Sequence, residues 1–290
     1  MIDGVNTFLQ NMLSGNNILR SFLQNGLYWF IFAVYLYTMA TKIKKLLDII
    51  PRDSLLFSSW MAKKGIDRKE QTLYTHSGWL ERIAQGVYKI EGSKPTLYGA
   101  IASYNRQLGK QCHIGAASAL ELRGFSHFIV MGKPAACLFT EKENRLPLWL
   151  SKGNWDIDVH YYTTSVFPKE MGLETIEDNG RELLISSPER AIMECLHLSP
   201  ELYNLMDVYY LMEMLTALRP NLVQDLLESC SSVKVKRLFL YMAEKAAHFW
   251  FKSIDQTKIS LGRGKRVIGE NGKYIGKYQI TIPAELVNYE

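Results

Sequence analysis

Residues 39–95 contain three short helical patterns followed by two strand-like runs, and this order constrains the fold more than any other feature of the 290-residue chain. In Lys42–Ile50, apolar residues recur at i, i+3, i+4 and i+7, which is the period of an amphipathic helix. A second helical pattern covers Leu55–Lys64 and stops at Gly65. The segment therefore begins with two short helices that are close together in sequence.

A third helix and a ribbon follow these two helices. Asp67 and Glu70 have the spacing of a capping box, which predicts a helix over Arg68–Ser77. Trp79–Ala84 and Gly86–Ile90 have the residue types of two short strands. In a winged helix-turn-helix the same order occurs, and its third helix enters the major groove of DNA. We therefore expect a winged helix-turn-helix DNA-binding domain at residues 39–95.

The third helix carries side chains of the types that contact phosphates and base edges. Thr72 and Thr75 follow Arg68 at i+4 and i+7, so the three share one helix face. The predicted DNA-binding residues, which include flanking positions on the preceding turn and on the ribbon, are Lys63, Lys64, Arg68, Lys69, Gln71, Thr72, Thr75, His76, Arg82 and Lys89. A small helical domain with a solvated polar helix is the alternative interpretation.

Charge is distributed unevenly along the chain, whose formal net charge is +5. Residues 39–90 hold ten basic and five acidic side chains, which is typical of a nucleic-acid-binding surface or of a solvated face. Residues 141–230 hold 16 acidic and 7 basic groups, whereas residues 234–277 hold 11 basic and 3 acidic groups. Lys265 and Arg266 lie in this last basic strip and are possible contacts to a protein partner or to DNA.

Residues 1–38 form a hydrophobic leader. Ser21–Thr41 is a run of 21 uncharged residues, 15 of them apolar, and Lys42 follows it. A helix of this length would span a bilayer. The lysines that follow it, Lys42, Lys44 and Lys45, would place the rest of the chain in the cytoplasm. Alternatively, Met39 is the true start of a cytoplasmic protein and the leader is dispensable. The second candidate function is accordingly a membrane-tethered winged-helix interaction protein at the inner membrane, without a DNA-binding role.

Residues 96–290 alternate between helical and strand-like patterns, so we expect a mixed α/β C-terminal domain and, for the whole chain, the α+β class. Helices are predicted at 95–108, 116–122, from Ser187 onward, and at 202–218, 222–227 and 235–251. Strands are predicted at 125–131, 136–140, 155–162, 183–185, 258–261 and 278–282. Four widely spaced cysteines offer no disulfide framework and no zinc ribbon.

The sequence contains few candidates for catalysis. Asp156 and Asp158 alternate on a predicted strand and would present two carboxylates on one face, as in metal-dependent nucleases. The further carboxylate and lysine that would complete such a site do not follow. Cys195 and His197 are two residues apart near a helix end, and such a pair does not share a helix face. We therefore expect no enzyme, no metal and no cofactor.

Several motifs resemble those of the AbiEi family, which supplies the antitoxin and transcriptional regulator of type IV toxin–antitoxin systems. The similar segments cover roughly Met39–Val287 and leave out residues 1–38. They are Ser58-Ser-Trp, Tyr74-x-x-Ser-Gly-Trp-Leu80, Gly86-Val-Tyr88, Leu97–Gly109, His113–Phe125, Ser187-Pro-Glu-Arg-Ala-Ile-Met-Glu194, Leu261–Ile268 and Tyr278–Pro283.

The resemblance implies a function that the residue patterns do not provide by themselves. It implies that the winged helix binds inverted repeats in the protein's own promoter and represses it. It also implies that residues 96–290 are an antitoxin domain that counteracts a toxin of the nucleotidyltransferase type.

Overall fold

The computed structural model describes residues 26–126, 133–269 and 272–289, and the described chain confirms the α+β class. It divides into two compact units. The first contains the described residues up to Lys110 together with Asn179–Arg181, and the second contains Gln111–Asp178 and the described residues from Glu182 onward.

From Gly26 onward, the described part of the first unit contains four helices and one antiparallel sheet of three strands with the order β1-β3-β2. Its helices are α1 (Gly26–Asp48), α2 (Ser58–Lys63), α3 (Arg68–His76) and α4 (Leu97–Leu108). Its strands are β1 (Leu56–Phe57), β2 (Leu80–Ala84) and β3 (Val87–Ile90). The predicted third helix and ribbon are therefore confirmed to within two residues at their ends.

The second predicted helix begins later than expected, because its first residues are part of the sheet. Leu56 and Phe57 pair with Tyr88 and Val87 on β3. Side chains of α4 also bind this backbone: the Ser103 hydroxyl accepts from the Leu55 N–H (3.0 Å), and Gln107 bonds the Phe57 N–H (2.9 Å) and the Leu55 carbonyl (2.7 Å). These bonds place α4 in the first unit, which therefore extends beyond the predicted boundary at residue 95.

The core of the first unit joins α1 to the elements that follow it. The buried cluster includes Ile43 and Leu46 from α1, Met61 from α2, Tyr74 from α3 and Leu80 from β2. The predicted helix at Lys42–Ile50 is thus the C-terminal part of a longer helix. Earlier in the same helix, Val34 is 48% exposed and Tyr37 is 76% exposed, so they lie outside this core.

Residues 1–25 of the hydrophobic leader lie outside the described residues, and so does the start of its uncharged run. Among the helices that are described, none combines the length and the hydropathy that crossing a membrane requires.

The second unit is built around a five-stranded mixed sheet with the order β6-β5-β4-β8-β7. These strands are β4 (His113–Gly115), β5 (Ala135–Thr140), β6 (Asp158–Thr163), β7 (Leu173–Asp178) and β8 (Arg181–Ser186). The helices of this unit are α5 (Ala116–Glu121), α6 (Leu148–Ser151), α7 (Pro188–Leu198), α8 (Leu205–Met214), α9 (Pro220–Ser229), α10 (Val233–Lys245) and α11 (Ala284–Asn288). A small sheet with the order β10-β11-β9 completes it, formed by β9 (Arg266–Val267), β10 (Gly272–Ile275) and β11 (Ile280–Pro283).

Several predicted elements of this unit are changed in the structure. The predicted strand at 258–261 is not a strand, because a short 3-10 turn at Gln256–Lys258 occupies its start. The sequence patterns do not predict strands β4 and β7. Strand β4 is buried at all three positions, so it lacks the alternation of apolar and polar residues that indicates a strand. Strand β7 carries three acidic side chains in six residues, so it lacks the apolar residues that such a pattern needs. Of the predicted strand at 125–131, residues 127–131 lie outside the described residues.

Candidate nucleic-acid interface

The start of helix α3 is held by the predicted capping box. The Asp67 carboxylate accepts from the Glu70 N–H (2.8 Å), and the Glu70 carboxylate accepts from the Asp67 N–H (2.9 Å). Lys42 on α1 forms an ion pair of 2.7 Å with Glu70 and donates to the Gly65 carbonyl (3.2 Å). The N-terminus of α3 is therefore tied both to its own backbone and to α1.

One side of α3 presents polar and basic side chains to solvent. Arg68, Lys69, Thr72 and His76 are exposed, and Thr75 is half-buried. The Thr72 and Thr75 hydroxyls donate to the carbonyls four residues earlier, both at 2.9 Å. Each hydroxyl oxygen keeps lone pairs that can accept a further hydrogen bond.

Gln71 does not belong to this exposed side, and its predicted role as a base contact is wrong. It is 1% exposed, and its amide donates to the carbonyls of Ser58 (3.1 Å) and Ile66 (2.9 Å). Its side-chain oxygen accepts from the Ser58 hydroxyl (2.6 Å). Gln71 is therefore a packing residue that joins α3 to α2 and to the turn between them.

The predicted flanking contacts differ in how accessible their charges are. Lys63 and Lys64 are exposed at the end of α2, with the Lys64 ammonium 5.7 Å from the centre of a Trp60 ring. Arg82 on β2 is also exposed. Lys89 on β3 is half-buried, pairs with Glu81 at 2.8 Å and donates to the Ser93 carbonyl, so its charge is already neutralised within the ribbon.

Sequence reasoning did not single out every exposed basic side chain of this unit. Lys44, Lys45 and Arg52 are exposed and belong to the same basic block as the predicted contacts. On the ribbon, the apolar side chains of Trp79 and Ile83 are 38% and 40% exposed. The charge count over residues 39–90 identifies the basic residues, whereas no pattern distinguishes the two apolar ones from core positions.

Lys265 and Arg266, the possible contacts of the second unit, lie just before β9 and at its first residue, next to a loop that is shaped by a buried arginine. Arg237 on α10 is 1% exposed, and its guanidinium donates to the carbonyls of Leu261, Gly262, Gly264 and Gln279 at 2.7–3.4 Å. Lys265 and Arg266 themselves are exposed, and the Lys265 ammonium is 4.9 Å from the centre of the Tyr274 ring.

The carboxylates considered for metal chemistry are not gathered into a metal site. Asp158 begins β6, is exposed and pairs with Lys133 at 2.8 Å, and Asp156 precedes the strand. Within the described ranges, there is no group of three or more His, Cys, Asp or Glu residues that could hold a metal ion. All four cysteines are free and buried, and burial raises the pKa of Cys112 to about 12.

The segment Ser187–Glu194 forms the most buried polar network of the second unit. The Glu194 carboxylate accepts from Arg190 Nε (2.8 Å), the Ser186 hydroxyl (2.8 Å) and the Ala116 N–H (3.0 Å), and lies 3.1 Å from His113 Nε2. Burial by itself would raise the pKa of Glu194, but His113 and Arg190 together keep this pKa well below its usual 4.5. Burial holds the pKa of His113 below its usual 6.5, against the opposing effect of the Glu194 carboxylate.

Comparison with known proteins covers both units. Residues 39–131 match the N-terminal domain of the AbiEi antitoxin transcriptional regulators. Residues 133–283, more than half of the chain, match the family described as "Transcriptional regulator, AbiEi antitoxin, Type IV TA system". Members of this family are regulators and antitoxins, which is not a class of enzymes. No curated protein matches the chain.

Among solved structures, the chain is similar to the RV2827C protein from Mycobacterium tuberculosis, with 12% sequence identity and a TM-score of 0.55. The similarity covers 84% of this chain and 91% of that one, and at this identity it concerns the fold. The two family matches extend over most of the chain and agree with the resemblance carried by its motifs. The chain belongs to the AbiEi family of antitoxins and transcriptional regulators of type IV toxin–antitoxin systems.

Proposed function

We propose that this protein is a DNA-binding autorepressor and antitoxin that acts in the cytoplasm and is not an enzyme. Residues 39–95 form its winged helix-turn-helix, which binds inverted repeats in its own promoter. The C-terminal domain, within residues 96–290, counteracts a toxin of the nucleotidyltransferase type. The observation that carries the proposal is the exposed side of α3, which displays Arg68, Lys69 and Thr72 in the unit matched by the family's N-terminal domain.

The order of elements supports the DNA-binding part of this proposal. Helices α2 and α3 are followed directly by the β2–β3 ribbon, and the buried side of α3 is held by Glu70, Gln71 and Tyr74. The opposite side is left for a ligand. Arg and Lys at the N-terminus of such a helix are suited to phosphates and to guanine edges.

The DNA-binding proposal is tested with the double variant Arg68→Ala/Lys69→Ala in gel shifts on the native upstream region. We expect affinity to fall by about thirtyfold or more, because two contacts are lost, each is worth about 1–3 kcal/mol, and 1.4 kcal/mol corresponds to a tenfold change. The double variant should also show a shallower dependence of affinity on salt, since fewer counterions are released.

The matched control removes the same charge from another exposed position of the first unit. Arg106→Ala/Lys110→Ala lowers the net charge equally but changes residues on and after α4. It should leave affinity within about twofold of the wild type. If both double variants bind the promoter as the wild type does, α3 is not the recognition helix.

The antitoxin part is tested by co-expression with the product of the neighbouring reading frame. We expect that product to be toxic alone, and we expect the full chain to relieve its toxicity. The Arg68→Ala/Lys69→Ala variant should still relieve it, because its substitutions are confined to α3. A variant that loses repression and neutralisation together would contradict the assignment of these functions to separate surfaces.

A further inference from the structure

Strand β6 (Asp158–Thr163) is an outer strand of the five-stranded sheet in the second unit. In the described part of the chain it pairs with β5 alone, so no strand lies along its other edge. Burial agrees with this position. On β5, residues 136–140 are buried, whereas on β6 all of residues 159–163 are half-buried, whichever face of the sheet their side chains occupy. The exposure of β6 therefore comes from an open edge, which we call the β6 edge.

The backbone groups that point outward from the β6 edge are identified by the bonds at the two ends of the strand. The Asp158 N–H donates to the Pro134 carbonyl (2.8 Å), and the Thr164 N–H donates to the Thr140 carbonyl (3.1 Å). Because the backbone groups of successive residues point to opposite edges of a strand, the even-numbered residues in between also face β5. The outward N–H and carbonyl groups are therefore those of Val159, Tyr161 and Thr163.

These outward groups have no backbone partner among the described residues, and the strand that carries them is held firmly by its own sheet. The Tyr161 hydroxyl accepts from the Leu146 N–H (2.9 Å) and lies 2.8 Å from the Thr140 hydroxyl. The centre of the Tyr162 ring lies 5.7 Å from the centre of the Phe139 ring. A row of unpaired backbone groups on an ordered strand is a template for pairing with another strand.

Charge distinguishes the β6 edge from the opposite edge of the same sheet. The outer strand there, β7, carries Glu174, Glu177 and Asp178, and charged side chains protect an edge from pairing. Residues 159–163 of β6 contain no Asp, Glu, Lys or Arg, and most of them are β-branched or aromatic, which favours strands. Two copies of β6 therefore approach each other without repulsion between like charges, whereas two copies of β7 bring acidic groups together.

We propose that the β6 edge pairs antiparallel with the β6 edge of a second copy of this chain, so that the two five-stranded sheets become one. Tyr161 lies on the two-fold axis opposite its counterpart, and Val159 lies opposite Thr163 of the second copy. In this register the outward groups exchange about six hydrogen bonds. The charged end of the strand, Asp158, faces the neutral Thr164 of the second copy. The pairing is self-complementary, as a two-fold interface requires.

A two-fold dimer suits the inverted repeats of the proposed promoter, because operator symmetry mirrors protein symmetry. Its test uses no DNA, so failure of the dimer and failure of the proposed DNA binding are distinguishable. In sedimentation velocity from about 1 to 100 µM, the mass of the full chain should shift from one chain towards two, since a small interface makes a weak dimer. In hydrogen exchange at both concentrations, the peptide that covers 158–163 should exchange more slowly at the higher one, because its outward amides become bonded.

The variant Thr163→Pro removes one outward N–H and leaves the bonds to β5 intact, because proline is tolerated on an edge strand where the lost N–H faces solvent. Each dimer then loses two donors, one from each copy, so the dissociation constant should rise by about tenfold or more. Thr163→Val is the matched control. It keeps the N–H and the β-branched shape, and it should dimerise as the wild type does. Thermal unfolding checks that both variants fold.

The proposal is overturned if the full chain sediments as a single chain up to about 100 µM. It is also overturned if a folded Thr163→Pro variant dimerises as tightly as the wild type, because the interface then lies elsewhere. Equal exchange of the peptide that covers 158–163 at both concentrations overturns it as well. This last readout uses the wild type, so it decides the matter even where Thr163→Pro does not fold.

Discussion

At the scale of single residues, the hydrogen bonds of Gln71 hold α2, α3 and the turn between them together. Its amide group has three partners in a site that is closed to solvent. Thr72 is the next residue along α3, about 100° further around the helix axis, and it is exposed. Two adjacent polar residues of α3 therefore have different roles, one in stability and one at the surface.

This difference predicts opposite effects of two substitutions. Gln71→Leu leaves buried groups of Ser58 and Ile66 without a partner, so it should lower the free energy of unfolding by about 1–3 kcal/mol. Thr72→Ala should change it by less than about 0.5 kcal/mol. Urea unfolding followed by tryptophan fluorescence measures both. Equal stability of the two variants would show that the bonds of Gln71 contribute nothing net.

A second residue-scale prediction concerns acid sensitivity. The buried His113 has a pKa below its usual 6.5 because burial disfavours its charged form. As the pH falls, the unfolded chain therefore protonates this histidine before the folded chain does. The contribution of His113 to the free energy of unfolding is thus fully present above pH 6.5 and is lost as the pH falls below this value. The pKa of His197 is also lowered, first by burial and then by Lys234.

Urea unfolding at pH 7.5 and 5.5 checks this prediction. The wild type should be less stable at pH 5.5, and His113→Gln should lose less stability between the two values. His197→Gln serves as a comparison, because it removes a second histidine whose pKa is lowered by burial. If His113→Gln has the same pH dependence as the wild type, His113 does not titrate in this range.

At the scale of elements, α3 depends on its capping box more than on intrinsic helix propensity. It has nine residues, and an isolated helix of this length is marginal in water. The reciprocal bonds between Asp67 and Glu70, with Lys42 paired to Glu70, stabilise its first turn. The N-terminal residues Arg68 and Lys69 are presented from this turn.

Asp67→Ala should therefore lower the free energy of unfolding by about 0.5–2 kcal/mol, since an N-cap acceptor is lost. Asp67→Asn is the matched control, because asparagine caps a helix about as well as aspartate while removing the same charge. Urea unfolding of both variants separates the cap from the charge. If Asp67→Ala and Asp67→Asn lower the free energy of unfolding equally, the effect comes from the charge of Asp67 and not from its role as a cap.

At the scale of the whole molecule, the described chain divides into two compact units, and the first includes the helix α1 (Gly26–Asp48). The part of α1 that reaches the core carries Ile43 and Leu46, which lie after Met39. Before Met39, Val34 and Tyr37 are exposed. The described contacts of α1 with the core thus come from its C-terminal part.

A chain that starts at Met39 should therefore keep the unfolding midpoint and the promoter affinity of the full chain. A chain that starts at Ile49 removes Ile43 and Leu46, and it should lose several kcal/mol because truncating one large core side chain costs about 2–5 kcal/mol. Thermal unfolding and gel shifts of the three proteins provide the comparison. A marked loss of stability in the Met39 chain would show that residues 1–38 contribute to the fold.

The sequence by itself determined the local elements of the first unit and the family. The capping box at Asp67, the helix at Arg68–His76 and the two-stranded ribbon depend on short-range bonds between residues close in sequence. The charge count identified the basic block, because most of its side chains remain in solvent. The family followed from motifs spread over most of the chain.

Only the tertiary structure decided which polar residues are buried. Gln71 and Thr72 have the same polar character in sequence, and the position of Ser58 and Ile66 decides that Gln71 is a packing residue. His113, Arg190 and Glu194 are joined through bonds that span up to 81 residues, which no local pattern reports. Periodicity predicts the elements, whereas burial depends on which distant segments pack against them.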